Sequence, residues 1–362
     1  MLTNTYRIAC VPGDGVGPEL TDVALEVLNC LLSKVPKAKL EFSTHSVGYD
    51  HWVKTGEFIE EYGRKFGGIS EATVRELEDT DAMLYIATSG GNFPKEFTTP
   101  FPVLRRRFKV YANVRPSRSY PNVPCLRSDI DLVLVREQTE GMWMGSEVVV
   151  EPGVTQATAT ITRAASTRVA RFAFEMARQR GGKKRVTCVH KANVLRIVFG
   201  QFVEACAEVA ADYPDVRFDE MHTDVLPFAL INAPQELDVI VTTNMYGDAI
   251  SGETAAIAGG LGIAPSGEYG DDYAIFRPVH GSAPDIAGKN VVNPVATLLS
   301  VVMMLKWLAF KKDKPALADA GRILEEAITS ILAEGSTLTR DLGGNATTTE
   351  VTNAVCRRIL QA

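Results

Sequence analysis

The chain has 362 residues, 46% of them hydrophobic and 23% charged, with a net charge of −6. This is the balance of a soluble globular protein of one large or two moderate domains, and an acidic chain without a basic block argues against nucleic acid or a membrane surface as partner. Six scattered cysteines (Cys10, Cys30, Cys125, Cys188, Cys206, Cys356) form no CxxC pair and read as reduced, mostly buried thiols of a cytoplasmic protein rather than a disulfide frame or zinc site.

Along the chain, Arg7–Pro12 predicts a strand that feeds the turn GDGVGPEL and a helix over Thr21–Leu32. The strand is too short for a signal peptide's apolar region. Gly13, Gly15 and Gly17 invite a dinucleotide-fold reading, but their spacing is GxGxG rather than GxGxxG, and no acidic residue ends a second strand at the expected distance. A tight turn with Pro18 at the first helical position is the plainer reading. Further strands are predicted at Ala82–Thr88 before SGGN, Asp131–Val135 before REQTEG, and Arg185–His190 before KANVLRIVFG. Two more fall at Val216–Met221 before HTDVLPFAL and Asp238–Thr243 before NMYGDAISGETAAIAGG. Strands alternating with helix-period segments predict an α/β fold with a mostly parallel sheet flanked by helices. Ligands of such sheets bind beyond the carboxyl ends of the strands, and Arg136, Lys191, Asp224 and Asp248 fall at those ends.

Two stretches depart from this rhythm. Val148–Ile161 reads as two short strands round a Pro-Gly turn, a hairpin that is marginal alone in water. Val291–Phe310 is the most apolar stretch, but Asn293, Pro294 and Lys306 interrupt it, which favours a core or interface helix over a membrane span. No repeat or low-complexity tract is visible.

Several residues carry chemistry. The polar loop PVHGSAPDIAGKNVVNP (Pro278–Pro294) lies between an apolar strand and an apolar helix, and a long specific loop in that place is more often functional than a connector. Arg105, Arg115 and Arg136 could pair bidentately with a small di- or tricarboxylate, whereas Arg106 and Arg107 fit solvated surface positions. Lys191 leaves a buried strand, a place suited to a proton shuttle. Asp224 and Asp248 offer oxygen ligands to Mg²⁺ or Mn²⁺; their plainer reading is a pair of helix N-caps.

The Pro278–Pro294 loop resembles, almost residue for residue, the adenosine-binding loop of the metal-dependent β-decarboxylating dehydrogenases of 2-hydroxy acids. That family contains the isocitrate, homoisocitrate, isopropylmalate and tartrate dehydrogenases, and the resemblance runs from Arg7 to about Leu360. It implies an isopropylmalate dehydrogenase-like fold, not a Rossmann fold, with two subdomains. Residues 1–110 plus 259–362 would bind the cofactor, and residues 111–258 would carry substrate contacts and dimerisation. The hairpin would be an arm that pairs with its copy in a homodimer, and the cleft would be completed by the partner subunit. The cofactor would be NAD, held by His280, Gly281, Ser282, Ala283, Pro284, Asp285, Ile286 and Asn293. Asp285 would bond the ribose hydroxyls, Ile286 stands where NADP members often place Tyr, and Asn293 would meet the adenine. The pattern LR…ANVRP…VRE matches the family's three substrate arginines at Arg105, Arg115 and Arg136. Thr99 stands where isocitrate and homoisocitrate members carry a substrate-binding Ser, while Phe97 and Phe101 lean toward a less polar tail. Lys191, in Lys-Ala-Asn, would accept the 2-hydroxyl proton and serve the neighbouring subunit's cleft, and Asn193 would contact cofactor or substrate. Asp248, with the partner subunit's Asp224, would hold Mg²⁺ or Mn²⁺.

Two positions break the family pattern. Trp143 stands in REQTEGMWMG where the family has the Tyr that protonates the carbon left by decarboxylation, and an indole N–H has no useful acidity near neutral pH. Gly252 replaces the acidic residue four positions after Asp248, and Glu253 lies about 140° round a helix from Asp248. An isocitrate- or homoisocitrate-type enzyme, an isopropylmalate- or tartrate/malate-type enzyme with altered chemistry, and a non-catalytic subunit binding NAD or a tricarboxylate all remain open. Retention of Lys191 favours catalysis.

Overall fold

The computed structural model describes residues 5–89 and 93–362. Gly90, Gly91 and Asn92 of the SGGN turn lie outside the described residues. The strands are β1 (Tyr6–Gly13), β2 (Leu40–Thr44), β3 (Phe58–Glu61), β4 (Arg64–Gly67), β5 (Ala82–Ala87), β6 (Ala112–Arg118) and β7 (Asp131–Glu137). They continue with β8 (Glu147–Glu151), β9 (Val154–Ala157), β10 (Arg185–His190), β11 (Arg217–His222), β12 (Val239–Thr242), β13 (Pro265–Tyr269) and β14 (Ala274–Pro278). The helices are α1 (Gly17–Lys34), α2 (Tyr49–Thr55), α3 (Glu71–Glu78), α4 (Phe101–Arg107), α5 (Arg163–Arg180) and α6 (Val198–Ala211). After them come α7 (Leu226–Asn232), α8 (Asn244–Ala258), α9 (Val295–Lys312), α10 (Pro315–Glu334) and α11 (Thr348–Gln361).

Ten strands form one sheet in the order β11-β10-β12-β7-β6-β13-β14-β5-β1-β2. The strand–helix alternation correctly anticipated a mostly parallel sheet, with two parallel wings, β2-β1-β5-β14 and β7-β12-β10-β11. The centre differs. The β14-β13, β13-β6 and β6-β7 pairs are antiparallel, so the wings run in opposite directions. The cause is local, since β13 and β14 are joined by the short polar turn Gly270–Tyr273 and β6 meets β7 with no helix between them. An intervening helix is what a parallel crossover requires. Strands covered on both sides read as unbroken apolar runs, as in the fully buried AMLYIA of β5 and VIVT of β12.

The two faces of the sheet differ in a way that places the site. One face carries a single continuous core in which Ile8, Leu84, Val114, Val135, Val239 and Phe276 pack beneath α1, α5, α6, α9, α10 and α11. On the other face the core splits. Val11, Met83, Tyr85 and Ile275 pack with α3 and α4, whereas Leu132, Leu134, Val189 and Ile240 pack with α7 and α8. Side chains alternate between faces along a strand, so the four central strands present Arg136, Asn113, Arg115, Ser266, Glu268 and Arg277 in the gap between these two clusters. Register aligns them, with Asn113 beside Arg136, Glu268 beside Asn113, and Arg277 beside Ser266.

The most apolar stretch becomes α9, buried along most of its length. Among the described residues no helix is long and apolar enough to cross a membrane. The expected hairpin is present as β8 and β9, paired with each other alone and exposed at every residue, including Val148, Val149, Val150 and Val154.

Candidate active site

The cleft is built on Asp248, in the second turn of α8. Its Oδ1 accepts from Arg136 Nη1 and, at 3.4 Å, from Arg115 Nη2. Arg136, 1% exposed, also donates to Asn244 Oδ1 through Nε (3.0 Å) and Nη2 (2.6 Å), and its guanidinium lies 5.1 Å from the Trp143 ring. Gly247 makes this approach possible, because a Cβ there would stand 2.7 Å from Arg136 Cβ. Arg115 donates to Asn113 Oδ1 (2.7 Å) and to Ser251 Oγ. Arg105 is held differently, with Nε and Nη2 each 2.8 Å from an oxygen of Glu268. The structure therefore brings Arg105, Arg115, Arg136, Asp248 and Trp143 into one neighbourhood, while Arg106 and Arg107 pair with Glu61 on the surface, as the plain reading of that run expects.

Electrostatics follow from crowding and burial. Burial pulls Arg115 down to about 10, reinforced by the charge of Arg136. Burial likewise brings Arg136 to about 10 against the attraction of Asp248. Both remain cations at neutral pH. Burial alone would push the Glu268 carboxyl up, but the Arg105 charge and hydrogen bonds outweigh it and hold the carboxyl below its ordinary range. Such a cleft suits a multiply charged anion.

Neither aspartate is a helix N-cap, which corrects the plainer sequence reading: Val225 precedes α7 and Thr243 precedes α8. Asp224 Oδ1 instead accepts from Lys191 Nζ across the ends of β10 and β11, and that bond lowers the Asp224 carboxyl. Among the described residues no hydrogen bond or ion pair links Lys191 or Asp224 to Asp248 or to the arginines. Asn193 is exposed beside this pair, and Thr99 is partly buried just before α4. A Cβ at Gly252 would meet nothing within 4 Å, so one turn beyond Asp248 the helix faces open space.

The Pro278–Pro294 loop sits on the first turn of the chain. Ser282 O accepts from Val16 N (2.8 Å), and a Cβ at Gly15 would stand 2.1 Å from that oxygen, so only glycine allows this contact. His280 Nδ1 lies 2.9 Å from Gly281 O, which assigns it the proton and leaves Nε2 as an acceptor. Nε2 is buried and has no partner among the described residues, and burial lowers the imidazole from its ordinary value. Gly281, Ala283, Pro284, Asp285 and Ile286 are exposed. Asn293 is more engaged than expected, with Nδ2 on Asp341 (2.9 Å) and Oδ1 receiving Val295 N (3.0 Å) at the start of α9.

Residues 7–355 match the family described as isocitrate/isopropylmalate dehydrogenase. The chain belongs to that family. It is 39% identical to the 3-isopropylmalate/3-methylmalate dehydrogenase of Methanocaldococcus jannaschii, covering 98% of this chain and 99% of that one. It is 37% identical to the alpha subunit of human mitochondrial NAD isocitrate dehydrogenase, covering 97% and 90% respectively. Among solved structures, the isocitrate dehydrogenase of Methylococcus capsulatus superimposes with a TM-score of 0.87 at 32% identity, over 99% of this chain and 100% of that chain. The chain is thus a member of a family of decarboxylating dehydrogenases with relatives of both substrate types.

Two residues of the cleft escaped the sequence reading, Glu268 and Arg277. Each is a charge on a short, otherwise buried strand (PSGEY and AIFRP), and that was the available signal. A cavity of about 1460 Å³ opens on the opposite face beside Tyr111, Phe172 and Trp307 and contains none of the site residues. Cations around it are largely paired, including Arg163 with Glu208, Arg171 with Asp212 and Lys306 with Glu325.

Proposed function

We propose that the protein is an NAD-dependent, Mg²⁺- or Mn²⁺-assisted dehydrogenase that oxidatively decarboxylates a 3-carboxy-2-hydroxy acid of the isocitrate or homoisocitrate kind. The observation that carries this reading is the convergence of Arg105, Arg115 and Arg136, from three separate elements, round the carboxylates Glu268 and Asp248. The partnerless, buried Nε2 of His280 and the exposed run Ala283–Ile286 fit the adenosine end of NAD. Asp248 fits a hard cation, since its Oδ2 accepts no hydrogen bond among the described residues and such ions need few protein carboxylates when substrate and water complete the shell.

NAD supplies the acceptor for the C2 hydride, and the divalent ion supplies positive charge beside the oxygen at C2. Arg105, Arg115 and Arg136 bind and orient the substrate carboxylates. Lys191 Nζ, delivered by a second subunit, takes the 2-hydroxyl proton as the neutral amine, its ammonium proton having first passed to water. Trp143, lying against Arg136, walls the cleft but cannot act as an acid, so after CO₂ leaves C3 that carbon takes its proton from water. The polar tail is favoured because the guanidiniums of Arg105 and Arg277 each lie 4.7 Å from the Phe101 ring, so charge covers that apolar surface.

The shared site belongs to a proposed homodimer. Lys191 and Asp224 border a surface of exposed apolar side chains, namely Val194, Leu195, Ile197, Val225 and Phe228. Together with the exposed hairpin valines, these are the apolar side chains such a dimer would cover. The proposal includes the subdomain division at 1–110 plus 259–362 against 111–258, and a cytoplasmic location.

The test is NADH and CO₂ formation with isocitrate, homoisocitrate, isopropylmalate, malate and tartrate, with and without Mn²⁺. Mn²⁺-dependent turnover of isocitrate or homoisocitrate is expected. Silence across the panel with NAD still bound in calorimetry would favour a non-catalytic subunit.

A further inference from the structure

We infer that Arg277 is the guanidinium that reads a carboxylate carried on the substrate's side chain. The inference rests on the proposed function and names the residue that separates a polar-tailed acid from an apolar-tailed one. Arg277 is the penultimate residue of β14, on the same sheet face as Asn113, Arg115, Arg136 and Glu268. It is partly buried, donates from Nη2 to Thr88 Oγ1 (2.6 Å), and lies 4.7 Å from the ring of Phe101. Arg105 lies 4.7 Å from the same ring, so the two guanidiniums neighbour each other at the start of α4, two residues after Thr99.

The three arginines expected to hold substrate are heavily committed within the protein. Arg105 spends its Nε–Nη2 edge on Glu268, whose two oxygens are thereby occupied. Arg115 engages Asn113, Ser251 and Asp248, and Arg136 engages Asn244 and Asp248. Arg277, in contrast, makes one hydrogen bond and no ion pair among the described residues, so a bidentate edge is left over. A desolvated guanidinium without a paired carboxylate is costly, and burial does pull Arg277 down from its ordinary value. A ligand carboxylate removes that cost. The charge inventory agrees, because four guanidiniums against Glu268 and Asp248 leave an excess of two positive charges. A divalent ion raises that excess to four, closer to the charge of a tricarboxylate than of a dicarboxylate.

The experiment is calorimetric titration of the wild type and Arg277→Met with isocitrate and with isopropylmalate, in Mg²⁺ and without NAD. Loss of a charged hydrogen-bonding partner weakens binding by roughly 10- to 100-fold, so Arg277→Met is expected to lose that much affinity for isocitrate while isopropylmalate changes little. Arg277→Lys should recover part of the loss. Equal weakening of both acids, no weakening of either, or an effect confined to NAD binding overturns the inference. If thermal unfolding shows that Arg277→Met does not fold, Thr88→Val releases the guanidinium from its tether. It should move the affinity ratio in the same direction, and an unmoved ratio overturns the inference. A wild type that binds isocitrate through Arg277 but reduces no NAD sinks the proposed function and leaves this inference standing. Turnover with a ratio indifferent to Arg277 sinks the inference alone, and binding of neither acid sinks both.

Discussion

Replacing Glu268 by Gln removes the negative half of the most buried ion pair in the cleft. Glu268 is 1% exposed and both of its oxygens are bonded to Arg105, whose side chain is 17% exposed. Removing one partner of such a pair costs about 3–5 kcal/mol, chiefly because the other charge is left buried. The residual exposure of Arg105 and one surviving acceptor place the cost at about 3 kcal/mol. Unfolding entropy of roughly 2.1 cal/mol/K per residue over this length is about 0.76 kcal/mol/K, so Tm should fall by about 4 °C. The pH dependence provides a second check. The folded-state carboxyl lies below its ordinary value, so its contribution is complete above the unfolded-state carboxyl range near ~4.3 and is lost as pH falls through the folded value. Differential scanning calorimetry from neutral to acid pH is the assay. The gap between wild type and Glu268→Gln should be widest near neutrality and should narrow in acid. A gap under about 1 °C near neutrality, or one that does not change with pH, would refute the assignment of the pair as a stabilising feature.

Other expectations concern the two departures from the family and the bare hairpin. Gly252→Asp places a carboxylate one helical turn from Asp248 in open space. The like-charge cost is a few tenths of a kcal/mol, and Mn²⁺ affinity measured by calorimetry should rise by about tenfold or more. Trp143→Tyr restores a hydroxyl that can donate a proton to the carbon once CO₂ has left and should raise steady-state turnover, by up to about 10²-fold if that protonation limits the rate; an unchanged turnover would remove that step from consideration. Val149→Asp on the exposed β8 strand should shift the assembly toward monomer in analytical ultracentrifugation, and an unaltered sedimentation profile would detach the hairpin from assembly.

The sequence exposed those parts of the site that sit at strand ends or in loops. Lys191 after β10, Arg136 near the end of β7 and the Pro278–Pro294 loop were readable because a charge or a Gly/Pro-rich segment follows an apolar run. The antiparallel centre was hidden, since β6, β7, β13 and β14 look individually like the parallel strands beside them and only their short or helix-free connections differ. Glu268 and Arg277 were hidden for the same reason. Their importance arises when register lays β13 against β6 and β14, a pairing that no local pattern states. The separation of Lys191 and Asp224 from Asp248 within one chain likewise follows from topology, because β10 and β11 lie at the outer end of their wing.

A decarboxylating dehydrogenase site completed by a second copy of the chain has a direct signature in subunit complementation. Lys191→Ala and Arg136→Met proteins, each inactive alone, should regain about a quarter of the wild-type rate of NADH formation when dissociated, mixed equally and reassembled, because half the dimers then hold one intact site. Activity that never rises above that of the separate variants would contradict completion by a second copy.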